Sequence, residues 1–169
     1  MRVRGPRRPA ALSALADILF GIYLAVLLRL TVFRPDLGGG ELFSGDLNLS
    51  LFTELISLIR RGGAYYFYRL LLGNIAAFVP FGAYLAWRTN MKLFGITLAG
   101  AAASLAIELL QFTFAVGVCE IDDLILNTVG TFAGAAAVMA LRLLIRREAQ
   151  KREDTKGKKT SERPGGYNK

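Results

Sequence analysis

The chain contains four long apolar stretches, at residues 11–33, 67–87, 93–114 and 122–145. Each is long enough to cross the hydrocarbon core of a bilayer, which takes about 20 mostly apolar residues. Backbone groups in lipid must satisfy one another, so such stretches fold as helices. With 53% hydrophobic residues and a mean hydropathy of +0.40, the 169-residue chain is also too apolar for a soluble domain. We therefore predict an all-α, polytopic membrane protein whose transmembrane domain of about four helices occupies residues 1–145.

The basic residues predict the orientation of these spans. Sixteen Lys and Arg lie in the N-terminal tail, the turn at residues 88–92 and the segment from Arg142 onward, against four in the other two connections. Because cytoplasmic loops are enriched in Lys and Arg, both termini and the 88–92 turn are predicted to face the cytoplasm. Residues 146–169 lack apolar residues to bury and are predicted to form a disordered basic tail attracted to anionic lipid. The basic residues are not interleaved with aromatics, which argues against a nucleic-acid partner.

The first outer connection contains a short amphipathic pattern. Its apolar residues recur at helical spacing: Leu51, Phe52, Leu55, Leu58 and Ile59. Ser50 is a candidate N-cap, and the glycines at 62 and 63 end the pattern. We predict a short helix that lies on the outer leaflet of the membrane.

Polar residues in the third span mark one face of an otherwise apolar helix. Ser104, Glu108 and Gln111 fall within about 60° of one another at 100° per residue. A carboxylate at membrane depth costs at least about 2.5 to 3.5 kcal/mol, so Glu108 needs a partner and is a candidate functional residue.

The fourth span carries a matching face. Glu120, Asp123 and Asn127 line up on one stripe, which Gly130 and Gly134 continue with G-x-x-x-G spacing. Small residues in this spacing let another helix approach closely, and the third span, joined by a tight turn, is the predicted partner.

The second span adds a third set of residues. Asn74 lies near its predicted outer end, Pro80 can kink the helix and free a backbone carbonyl, and Gly82 permits close packing. Asp122 lies off the polar stripe of the fourth span and is predicted to cap that helix. Three helices thus bring polar groups to the outer half of the membrane. The candidate ligand-binding residues are Asn74, Glu108, Gln111, Glu120, Asp122, Asp123 and Asn127.

Composition restricts the chemistry of this site. Histidine is absent, which excludes Ser-His-Asp triads and HExxH zinc sites. The single cysteine, Cys119, fits an apolar filler better than a nucleophile. No cofactor is predicted. The amides Asn74, Gln111 and Asn127 also fit a purely structural role as interhelical hydrogen-bonding groups worth roughly 0.6 to 2 kcal/mol each.

Three segments in order, GNIAAFVPFGAYL, SLAIELLQ and EIDDLILNTVGTFAG, resemble the signature of the VanZ-like family of small bacterial membrane proteins. The resemblance runs from about Asp46 to Gly134. Glu120 stands where the family usually has aspartate, and Val118-Cys119 replaces a pair that often includes arginine. By resemblance, the functional positions are Asn74, Pro80, Gly82, Glu108, Gln111, Asp122, Asp123, Asn127 and Gly130. The family resemblance implies a bacterial plasma-membrane location and an association with low-level teicoplanin resistance.

Three functions are compatible with these residues. The favoured one is an outward-facing polar pocket that binds an envelope lipid, a lipid-linked precursor or an amphiphilic glycopeptide antibiotic. The second is a membrane enzyme that acts on a lipid-linked envelope substrate through Glu108 and Asp123, either as acid and base or as ligands of a hard divalent cation. The third is a structural partner in a membrane assembly.

Overall fold

The structure, a computed structural model, describes residues 9–33, 41–61 and 63–161. In chain order its elements are α1 (Ala10–Thr31), β1 (Asp46–Asn48), α2 (Thr53–Arg60), α3 (Ala64–Arg88), α4 (Leu93–Phe114), β2 (Val118–Glu120) and α5 (Ile121–Ser161). Within these residues, α1, α3, α4 and α5 are long and apolar enough to cross a membrane. The predicted fold class, an all-α polytopic membrane protein, is confirmed.

The most extensive helix contact in the bundle is between α3 and α5. A Cβ added at Gly130 would overlap the carbonyl oxygen of Ile75, and one at Gly134 would overlap that of Val79. Ile75 and Val79 both lie on α3. The prediction that the G-x-x-x-G face packs on the third span was therefore wrong, because its glycines face the backbone of the second span.

Thr131 fixes the point where α3, α4 and α5 meet. Its side chain is fully buried, and its hydroxyl donates to the Asn127 carbonyl at 3.0 Å. Gly82 of α3 faces the Thr131 carbonyl, and Gly100 of α4 faces the Thr131 side chain so closely that a Cβ would overlap it at either position. The glycines of the two neighbouring helices thus make room for one residue of α5.

Helix α1 is the most peripheral span, since only Leu27 of its residues is buried. The Tyr23 hydroxyl donates to the Ala77 carbonyl on α3 at 2.6 Å. This carbonyl is next to the one that Pro80 leaves without a helical donor, since proline has no N–H and the helical partner lies four residues earlier. The hydroxyl therefore ties α1 to the part of α3 that proline disturbs.

An ion pair attaches the N-terminal half of α1 to α3. The Arg88 guanidinium lies 3.0 Å from the Asp17 carboxylate, which also accepts a 2.8 Å hydrogen bond from the Tyr84 hydroxyl. Phe20 stacks on the Tyr84 ring with centroids 3.7 Å apart. An exposed ion pair contributes little to stability on its own, so this group mainly orients α1 against α3.

At the predicted outer end, the chain forms a pairing that the sequence did not reveal. Strands β1 and β2 pair in parallel, with Asp46, Leu47 and Asn48 opposite Val118, Cys119 and Glu120. Helix α2 follows β1 as predicted, but Ser50 is not its N-cap. Phe52 holds that position in the left-handed region, with φ of 52°.

Helix α5 continues through residues 146–161, which the sequence predicted to be disordered. This stretch has one apolar residue, Ala149, yet ten of its sixteen residues are Glu, Gln, Lys or Arg, which are strong helix formers. It also extends a span that is already helical, so it needs no new nucleus. Residues 162–169 lie outside the described part of the chain.

Candidate ligand-binding site

Glu108 is the most deeply placed acid of the site. Its side chain is 3% exposed, and its Oε2 accepts a hydrogen bond from the backbone N–H of Glu120 at 2.8 Å. This contact forms because α4 ends at Phe114, Ala115 adopts the left-handed region, and the chain returns along β2. The Cys119 thiol lies close enough to the same carboxylate to interact with it. The β2 strand thus covers Glu108.

The surroundings of the Cys119 thiol make it a weaker acid. Burial raises its pKa, and the negative charge of Glu108 acts in the same direction. Because the thiolate is the nucleophilic form, this environment makes Cys119 less reactive. This agrees with the sequence interpretation that Cys119 is not a nucleophile, and it places the neutral thiol beside Glu108.

Asp123 joins α5 to α3. The Asn74 side-chain amide donates to its Oδ1. Asp123 and Glu120 both lie close enough to Glu108 for their negative charges to interact with it. Four of the candidate residues, from α3, α4, β2 and α5, thus share one region of the bundle, which we name the acidic cluster: Asn74, Glu108, Glu120 and Asp123.

Asn127 lies in a separate contact beside this cluster. Its side-chain nitrogen donates to the Ser104 hydroxyl at 2.9 Å, in a pair that is fully shielded from solvent. Because Ser104 is 0% exposed, its hydroxyl has no access to a substrate. The Ser104–Asn127 pair therefore fits interhelical stabilisation.

Asp122 does not cap α5 with its side chain. It is 6% exposed, and its two carboxylate oxygens accept from the backbone N–H of Phe52 at 2.9 and 3.0 Å. Phe52 has the positive φ that bulky residues rarely adopt. The carboxylate therefore stabilises the strained residue that precedes α2, at the end of the bundle that carries β1 and β2.

Removing this contact should loosen the outer segment. In an Asp122→Ala variant we expect backbone amides of β1 and α2 to exchange about tenfold faster, since a hydrogen bond to a charged group contributes roughly 1.5 to 3 kcal/mol. Asp122→Asn keeps one acceptor oxygen and should show an intermediate rate. Hydrogen exchange read by mass spectrometry measures this, with α4 peptides as the internal reference. Wild-type protection of β1 and α2 in Asp122→Ala would contradict the assignment.

Gln111 is separated from the acidic cluster. Its Nε2 donates to the Thr31 carbonyl of α1 at 3.3 Å, and its Oε1 has no hydrogen-bond partner among the described residues. The side chain is 8% exposed. Gln111 therefore presents a buried, unused acceptor at the seam between α1 and α4.

The Glu108 carboxylate takes part in no ion pair across residues 9–33, 41–61 and 63–161. The same residues hold no group of three or more acid or cysteine side chains arranged to bind a metal ion. What the arrangement offers chemically is a negatively charged, water-poor group of hydrogen-bond acceptors.

Two residues and one segment of this region were not predicted from the sequence. Thr131 and Gly100 were overlooked because a threonine and a glycine in an apolar helix carry no polar signal of their own. The segment around Asn48, which pairs with Glu120, was missed because β1 has only three residues. The opposing glycines at 82 and 100 were the one available sign that a third helix approaches there.

Comparison with known proteins gives two matches. The sequence model of the VanZ/LLP1 family matches residues 20–144. The chain is also similar to Protein VanZ of Enterococcus faecium, with 34% identity over 122 residues that cover 69% of this chain and 68% of that protein. No solved structure matches. The family match includes every candidate site residue.

Proposed function

The chain belongs to the VanZ/LLP1 family, and from this premise we propose that its outer end binds the polar head of an amphiphile carrying an ammonium or hydroxyl group. An envelope lipid, a lipid-linked precursor and an amphiphilic glycopeptide antibiotic such as teicoplanin all share this chemistry. The protein acts in the bacterial plasma membrane with both termini in the cytoplasm, in line with the distribution of its basic residues. Binding of such a ligand contributes to lowered teicoplanin susceptibility.

The observation that carries this proposal is the environment of Glu108. A buried carboxylate is stable only where hydrogen bonds or an opposite charge compensate it. Glu108 accepts a hydrogen bond from the Glu120 amide but makes no ion pair among the described residues. A ligand ammonium would neutralise this excess charge, and a hydroxyl would add a further donor.

The surroundings fit an amphiphile better than a soluble ligand. The residues of β1 and α2 expose large apolar side chains at the same end of the bundle, among them Leu47, Phe52, Ile56 and Ile59. Exposed apolar side chains next to polar groups are typical of segments that lie at the membrane interface. A ligand held there would keep its own apolar part in the bilayer.

The test compares Glu108→Gln and Asp123→Asn with the wild-type protein. Each change keeps the size of the side chain and removes one charge. We expect at least a tenfold loss of affinity for teicoplanin or for an alkyl-ammonium amphiphile in nanodiscs, because a charge-assisted contact contributes roughly 1.5 to 3 kcal/mol. Glu148→Gln, a matched change at an exposed acid of α5 far from the site, should bind as the wild type does.

The same variants should be introduced into a deletion strain. We expect complementation of teicoplanin tolerance by the wild-type gene and by Glu148→Gln, and its loss in Glu108→Gln and Asp123→Asn at equal expression. Full binding and full complementation by both cluster variants would refute the proposal. Binding of the alkyl-ammonium amphiphile without binding of teicoplanin would assign the site to a lipid.

A further inference from the structure

An apolar groove lies where the outer ends of α1 and α4 meet. Its lining residues are Val32, Phe33, Phe114 and Val116, and its volume is about 360 Å³, which lies within the range of small-molecule sites. Val32 and Val116 are buried, whereas Phe33 and Phe114 are 62% and 45% exposed. The groove therefore has a buried floor and flanks that face the surrounding bilayer.

Gln111 stands between this groove and the acidic cluster. Glu108, Gln111 and Phe114 follow one another at intervals of three, so their side chains step around α4 by about 60° each. Glu108 contacts β2, and Phe114 lines the groove. Gln111 lies beside the groove and is hydrogen-bonded on both sides of it. Its Nε2 donates to Thr31, next to the Val32 wall, and its backbone carbonyl accepts from the Val116 N–H at 3.1 Å.

The Gln111 Oε1 atom accepts no hydrogen bond from the described residues, so this position favours a ligand that carries a donor. The Oε1 atom finds no donor within the described chain, although the side chain is more than nine-tenths buried. An unpaired buried carbonyl is costly, so a ligand that supplies an N–H or O–H donor at this point gains the bond that the protein leaves unmade.

We propose that the groove is the lateral entry for the hydrocarbon chain of the ligand, and that an amide N–H or hydroxyl adjoining the chain donates to Gln111 Oε1. The inference rests on the proposed function and narrows its ligand class. On a helix, residues three apart such as Glu108 and Gln111 have Cβ atoms about 5 to 6 Å apart. The ammonium and the amide nitrogen of a ligand in which two carbon atoms join them lie closer together than this, and hydrogen bonds of about 2.9 Å bring each within reach of one of the two side chains. The chain then leaves the bundle through the groove.

The weak attachment of α1 is compatible with entry at this seam. Only Leu27 of the α1 residues is buried, and the groove end of α1 is attached to α4 by the hydrogen bond from Gln111 to Thr31. A small displacement of α1 would widen the groove while the α3–α5 packing that holds the acidic cluster stays in place.

The experiment uses two photoreactive probes and the full-length protein in phosphatidylcholine nanodiscs. One probe is a diazirine-bearing N-(2-aminoethyl)hexadecanamide, and the other is the same compound methylated at the amide nitrogen, so that only the donor is lost. We expect labelling of peptides that contain residues 32–33 and 114–116, about tenfold stronger for the secondary amide. The preference should disappear in Gln111→Met, which keeps the length of the side chain without its acceptor.

A second pair of variants tests the groove itself. Val116→Trp fills it and should abolish labelling there. Leu105→Trp adds the same ring to a 46% exposed position of α4 outside the groove and should label normally. If Val116→Trp does not fold, the preference for the secondary amide and its loss in Gln111→Met still decide the question.

The outcomes separate the two proposals. Labelling that is unaffected by Glu108→Gln overturns the proposed function. Labelling that depends on Glu108 but falls outside the groove, or is equal for the two probes, overturns this inference alone. Diffuse labelling along the exposed faces of all four spans means that ordinary bilayer lipid occupies the groove and overturns it as well.

Discussion

The double variant Gly130→Ala with Gly134→Ala is expected to lose most of the stability of the bundle. Each new methyl group would overlap a backbone carbonyl oxygen of α3, at Ile75 and at Val79. Backbone atoms of a packed helix cannot move aside as a flexible side chain does, so α3 and α5 must separate along their whole contact. Overpacking costs about 1 to 3 kcal/mol per site, and separation also weakens the dispersion and Cα–H···O contacts that close approach allows.

The measurement is unfolding in mixed micelles of increasing SDS fraction, followed by circular dichroism. The controls are Gly21→Ala and Gly73→Ala, since a Cβ at either position meets nothing within 4 Å. Alanine has the better helix propensity, so these variants should be neutral or stabilised by up to about 1 kcal/mol. If the double variant unfolds at the same SDS fraction as Gly73→Ala, the α3–α5 packing described above is wrong.

This packing shows what a sequence pattern can and cannot predict. Gly130 and Gly134 lie on one face by helical geometry, and the pattern correctly predicts that another helix approaches there. It does not say which helix, because Gly82 on α3 and Gly100 on α4 both offer a small surface to α5. The choice between them depends on how three helices pack together, which is not a local property.

For the polar residues, too, the sequence predicts some properties and not others. A glutamate in an apolar span needs a partner, so the importance of Glu108 could be predicted from residue type and position. Its donor, the Glu120 amide, could not, because it depends on the path of the chain after α4. The contact between Asp122 and Phe52 joins residues 70 positions apart through a loop with no regular period.

The first three spans and the start of the fourth were predictable to within a few residues, because length and hydropathy dictate them in a bilayer. The parallel pairing of β1 with β2 was not, since three-residue strands leave no alternating pattern to detect. The helical continuation through residues 146–161 was missed for a different reason. Hydropathy measures whether a segment can be buried in apolar surroundings. This segment is helical for another reason, because its residues have high helix propensity and because it continues a stable span.

The acidic cluster allows a test by exchange of partners, in which Asn74→Asp alone is expected to be destabilising. The Asn74 amide donates to Asp123 Oδ1, so the substitution places two carboxylates in direct contact. Both positions are half-buried, so the uncompensated charge costs less than the roughly 3 kcal/mol of a fully buried one. The matched control is Asn90→Asp, which adds the same charge at an exposed position of the turn before α4 and should leave stability unchanged.

The double variant Asn74→Asp with Asp123→Asn restores one amide and one carboxylate with the donor and acceptor exchanged. We expect it to recover more than half of the lost stability, which no purely local effect of either substitution would do. Detergent unfolding measures the three proteins together. An Asn74→Asp variant as stable as the wild type would mean that α3 and α5 do not meet at these residues, and the acidic cluster would then lose its link to the second span.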